Sequence, residues 1–145
     1  MKLAVQRLVV LFTLSLLVVA SAPAAPPPQA RMNDKDIESV MNNLKQDAKK
    51  FRSLFNTAVD HSTIRKTTDA KNAKQLAQTF QQQCEGMYNH FKDSHEANST
   101  LPPVLNSARQ IENLHSQFQF GHEADAQWKK VQSELSILAT QFNVN

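Results

Sequence analysis

The chain has 145 residues, with 16 lysines and arginines against 13 aspartates and glutamates, two glycines and a single cysteine. A formal charge of +3 is a weak basis for gripping nucleic acid, and two glycines leave no material for a glycine-rich phosphate loop. One cysteine makes no internal disulfide, so the fold must be held by its core.

The N-terminal stretch reads as an export signal. Lys2 and Arg7 supply a positive start, and Leu8–Ala20 is an apolar run interrupted by Thr13 and Ser15. That run falls short of the roughly 20 apolar residues a comfortable membrane span needs. Ala22-Pro23-Ala24 suits a signal peptidase, which divides the chain into a signal peptide at 1–24, a Pro-rich spacer at 25–32 and a domain at 33–145. Pro26-Pro27-Pro28 gives the spacer a stiff, extended form. The expected location is periplasmic or secreted, with no transmembrane segment after cleavage. Loss of Lys2 and Arg7 leaves 14 basic residues against 13 acidic, a net charge of +1, so no nucleic-acid partner is expected.

Four rows of apolar residues follow, each at alternating spacings of three and four. Ile37, Met41, Leu44, Ala48, Phe51, Phe55 and Ala58 predict a first helix over about 34–60, with Asn33 as its N-cap. His61 to Asp69 breaks the pattern, and Thr67, Thr68 and Asp69 are the cap candidates for a second helix over about 70–97. Its stripe is Ala73, Ala77, Phe80, Cys84, Met87 and Phe91. Asn98-Ser99-Thr100 and Pro102-Pro103 stop one helix and start another, because proline is tolerated in a first turn. The third stripe is Leu101, Val104, Ala108, Ile111, His115 and Phe118; Gly121 marks the turn after it. Ala124, Trp128, Val131, Leu135, Leu138 and Phe142 make the fourth, over about 123–142. One-faced helices must bury their stripes against each other, and short connections favour antiparallel neighbours. The expected fold is all-α: an antiparallel up-down-up-down four-helix bundle behind the signal peptide and spacer.

The landmarks FRSLFNTAVDHS (Phe51–Ser62), a mid-chain aromatic run and WKKVQSELSILATQFNV (Trp128–Val144) give the chain a resemblance to a family. It resembles small exported helical proteins of acidobacteria-like soil bacteria. The resemblance covers the part after the signal and implies a helical fold and an exported location; it brings no catalytic residues with it.

Two features carry candidate chemistry. Cys84 and His115 interrupt otherwise apolar stripes and lie equally far from the Ser99-Thr100 turn. They are therefore expected in one layer, with Asp47 or Ala48 and Gln127 or Trp128 at the same height. A thiol and an imidazole there would begin a metal site, with Met87 the nearest third donor; two ligands fall short of one. His61 and His122 are expected near each other at the pole that holds the first and third connections. The second feature is basic: Lys45, Lys49 and Arg52 at helical spacing, with Arg65, Lys66, Lys71 and Lys74 at the same pole. This surface suits an anionic envelope component or an envelope protein, and Glu123 and Asp125 are expected close enough to offset part of it. HExxH, paired CxxC and GxxxxGK[ST] motifs are missing from the sequence. The functional expectation is a non-enzymatic bundle without a cofactor, acting by interaction or structural support in the cell envelope. A metal-binding bundle and an amphipathic lipid- or polymer-associating protein are the alternatives.

Overall fold

A computed structural model describes residues 31–144 of the chain, so the signal peptide and most of the spacer lie outside the described residues. The described part is all-helical, with four helices: α1 (Asp34–His61), α2 (Thr68–Ser94), α3 (Leu101–Gln117) and α4 (His122–Gln141). At 1.5 Å per residue the first two are about 40 Å long and the last two about 25–30 Å. No helix among the described residues is long and apolar enough to cross a membrane.

Local chemistry sets the ends. The Asn33 side chain accepts from the Asp36 backbone N–H at 2.9 Å, and Asp34 and Asp36 place negative charge at the positive end of α1. At the other end, Ser62 Oγ donates to the Val59 carbonyl and His61 Nδ1 donates to that of Thr57, both at 2.8 Å. Thr67 caps α2 by accepting from the Ala70 N–H at 3.2 Å. α2 stops at His95, which takes the left-handed conformation (φ 57°) and returns its N–H to the Phe91 carbonyl. α3 opens on Leu101, Pro102 and Pro103 with no side-chain cap, the prolines sitting where helical N–H groups lack partners anyway. Gly121 precedes α4 at φ 84°, a conformation that a Cβ disfavours.

Each helix buries one face. α1 lies between α2 and α4, and α2 also carries α3; α3 and α4 approach each other closely at few points. All seven buried positions of α1 except the last match the expected stripe. Val59 is fully buried there while Ala58 is only partly so, because a 3.6-residue turn carries the face one position further after Phe55 and the larger side chain fills it. The α2 stripe is buried throughout and extends back to Ala70.

An aromatic cluster holds one half of the core. Phe51 meets Trp128 at 4.7 Å between ring centroids, Phe55 at 5.3 Å and Phe120 at 6.0 Å. Phe80 meets the same indole at 5.6 Å, and Phe55 stands edge-on to Phe120 at 4.8 Å. Such offset and edge-to-face pairs add to the burial of the rings themselves. Phe120 belongs to no helix. It is 1% exposed in the α3–α4 connection, a core residue that helical spacing does not reach.

Candidate functional site

Cys84 and His115 do not share surroundings. Cys84 is fully buried on α2, where burial pushes its thiol pKa upward and the Glu134 carboxyl adds to the effect. His115 turns outward from its stripe, with 39% of its side chain exposed. Its Nε2–H donates to Asp125 Oδ1 at 3.0 Å, and its ring stands against Phe120 at 4.7 Å. The α4 neighbours of the two residues, Glu134 and Asp125, are nine positions apart, about 13 Å along a helix. The common layer drawn from counting back from Ser99-Thr100 therefore does not form. An imidazole with a carboxylate and an aromatic edge within reach is better satisfied at the rim than in the core. Among the described residues no group of three or more His, Cys, Asp or Glu side chains is placed to hold a metal ion.

His115 belongs instead to a polar seam between α3 and α4. Trp128 Nε1–H and Gln132 Nε2–H both donate to Glu112 Oε2, at 2.7 and 2.8 Å, one turn from the His115–Asp125 bond. These side chains line a cavity of about 230 Å³. Side-chain bridges thus join two helices whose backbones stay apart. Glu112 and Asp125 were absent from the sequence candidates, although Glu112–His115 and Asp125–Trp128 are both i, i+3 pairs, the spacing that puts two side chains on one helix face.

A second polar group lies between α1 and α4. Gln127, 3% exposed, donates from Nε2 to the Asp47 carbonyl at 3.3 Å, so Asp47 and Gln127 do meet as their expected heights suggest. Next to them the Glu134 carboxyl is pushed up to about 7. Burial is the main cause, then the Asp47 charge beside it, while Lys130 pulls the other way. Glu134 Oε2 is buried and has no donor beside it. Two ionised carboxylates here repel, and a proton on Glu134 relieves that repulsion.

The predicted basic surface separates into two kinds of residue. Lys45, Arg52 and Lys74 are engaged within the chain: Lys45 Nζ lies 4.0 Å from the centre of the Tyr88 ring, Arg52 donates to Gln81 Oε1 at 2.8 Å, and Lys74 pairs with Asp60. Lys49, Arg65, Lys66 and Lys71 are exposed and form no ion pair among the described residues. Asp125 is taken by His115, and Glu123 lies beside Lys50 and Lys130 in another groove, so neither matches its expected place against the basic pole.

That groove runs between α1 and α4. Its first part, about 440 Å³, is lined by Lys50 and Leu54 of α1 and by His122, Glu123, Ala126, Gln127 and Lys130 of α4. A second hollow of about 230 Å³ continues toward the pole and shares Leu54, His122 and Glu123, adding Ala58, His61 and Phe120 among others. His61 and His122 thus line one hollow, the proximity expected for them. Neither Lys50 nor Lys130 was among the candidates drawn from the sequence, since the two reach one groove only once α1 and α4 pack together. Comparison with protein-family models, with curated proteins and with solved structures gives no match to this chain.

Proposed function

We propose that this chain is an exported, non-enzymatic four-helix bundle that works in the cell envelope by holding an anionic component or partner there. The exposed and unpaired state of Lys49, Arg65, Lys66 and Lys71 carries this reading. Three of them cluster on the α1–α2 connection and the first turn of α2, and Lys49 stands near the middle of α1, about 18 Å back along that helix. Lys74 at the same pole, by contrast, is held by Asp60. Export rests on the Lys2, Arg7 and Leu8–Ala20 pattern.

An antiparallel up-down-up-down course completes the proposal. Supporting it, Asp60 meets Lys74 and Arg52 meets Gln81 between α1 and α2, while Met32 meets Gln141 and Asp47 meets Gln127 between α1 and α4. In each case rising numbers on one helix meet falling numbers on the other. The metal reading of Cys84 and His115 loses its support with the separation of the two residues.

The test is binding to phosphatidylglycerol vesicles, with phosphatidylcholine vesicles as control. Association should weaken steeply as ionic strength rises past about 0.1 M, where screening acts over roughly 10 Å. The exposed triple reversal Lys49→Glu, Arg65→Glu, Lys71→Glu should abolish it with helicity unchanged. Equal binding by the parent and the triple variant would refute the anionic-partner reading.

A further inference from the structure

We propose that the α1–α4 groove binds one single-chain carboxylate amphiphile, a fatty-acid-type anion, with its head between Lys50 and Lys130 and its chain along Leu54 toward Phe120. The two hollows share three lining residues and so form one continuous track. From Lys50 to His61 it follows eleven residues of α1, about 16 Å. The larger hollow alone, at about 440 Å³, is in the range of small-molecule sites.

Charge sets the head at one end. Lys50 on α1 and Lys130 on α4 are both exposed and face the same hollow from opposite walls. An anion between them meets an ammonium on each side. The walls beyond are Leu54, Ala126, Ala58 and Ala124, with the buried Phe120 behind them, and these give an alkyl chain apolar contact without displacing any helix. Two ammonium groups line the larger hollow against one carboxylate, Glu123, and Lys130 also acts on the Glu134 carboxyl, so the excess of lysines over carboxylates is at most one. That excess matches a carboxylate, with its single charge, better than a phosphate monoester with nearly two. Glu123 sits in the first turn of α4, where the helix end offsets its charge, and the chain rather than the head passes it.

This proposal rests on the reading of the protein as a binder of anionic envelope material, but it uses a different surface from the Lys49, Arg65 and Lys71 region. The experiment titrates the purified protein with laurate below its micelle concentration and follows backbone amide shifts by NMR, with dodecyltrimethylammonium as the charge-reversed probe. Saturable one-to-one binding of laurate is expected, with shifts confined to residues 50–61 and 120–130. Lys50→Glu should weaken it on the order of tenfold, the scale of one charge-assisted hydrogen bond. Ala126→Trp, which fills the groove at an exposed position and leaves every charge in place, should abolish it. The Lys49, Arg65, Lys71 triple reversal should bind laurate as the parent does. Vesicle binding read in that triple variant and laurate binding read in Ala126→Trp keep failure of the two readings apart. Equal affinity for the cationic probe, shifts spread over the whole chain, or undiminished binding in both Lys50→Glu and Ala126→Trp would overturn the proposal.

Discussion

Phe51→Ala probes the packing most directly. Phe51 is completely buried and touches three other aromatic rings, from α1 itself, from α4 and from the α3–α4 connection. A phenylalanine buries about 150–250 Å², which at roughly 25 cal/mol per Å² sets an upper limit near 4–6 kcal/mol. Alanine keeps part of that burial, and the cavity left behind adds a cost of its own, so measured changes of this kind run at about 3–5 kcal/mol. The upper half of that range is expected here, because the neighbours come from separate elements and cannot all relax into one void. In urea unfolding the midpoint should drop with an unchanged slope, and the melting temperature should fall on the order of 15 °C for a domain of this size. Phe142→Ala supplies the internal comparison: that ring is half-buried with one aromatic neighbour, Phe91 at 6.3 Å, and should cost about 1–2 kcal/mol. A Phe51→Ala loss below about 1 kcal/mol, or no larger than that of Phe142→Ala, would refute the assignment of Phe51 to a shared aromatic centre.

Three further outcomes follow from named groups. Glu134, raised from 4.5 to about 7 in the folded chain, contributes stability that is fully present below pH 4.5 and is lost as pH rises through 7. Relative to Glu134→Gln, which fills the same place but does not titrate, the parent should lose on the order of 1 kcal/mol across that window after solvent screening; parallel pH profiles would refute the raised Glu134 carboxyl. Cys84 should react with a disulfide reagent only on unfolding, since burial holds the thiol protonated at neutral pH; fast reaction of the folded protein would place it at the surface. Glu112→Ala should cost about 1–3 kcal/mol and shift Trp128 fluorescence, because the indole N–H loses its carboxylate acceptor; an unchanged spectrum would remove that bond from the seam.

Helical periodicity carried most of the fold because it depends on local spacing alone. Ile37 to Phe55 and Ala73 to Phe91 are buried as their spacing dictates, and Asn33 and Thr67 cap where their side chains can reach back to the chain. Phe120 escaped because a residue in a connection has no period to announce it. His115 was misplaced for a related reason: the stripe gives the side of the helix, but the choice between core and rim depended on Asp125, which only the tertiary fold brings near. The binding surface was the least legible. A run of lysines and arginines looks alike whether its members are free or paired, and the structure pairs Lys74 and stacks Lys45 on Tyr88 while leaving Lys49 exposed. Lys50 and Lys130 are eighty positions apart and become one feature only through the α1–α4 contact.

The thin α3–α4 seam makes the molecule unequal in its resistance to opening. α1 touches a helix on either side, so exposing its amides to solvent requires breaking two interfaces at once, a near-global event. α3 is the shortest helix, leans chiefly on α2, and meets α4 through the carboxylates of Glu112 and Asp125. Swinging it away costs one apolar interface and a few side-chain hydrogen bonds, and leaves α2, α1 and α4 in contact. Deuterium should therefore enter α3 well ahead of α1, and proteases should cut first in the connections on either side of it, at residues 95–100 and 118–121. The bundle is in this sense a three-helix unit carrying a fourth helix on a hinge.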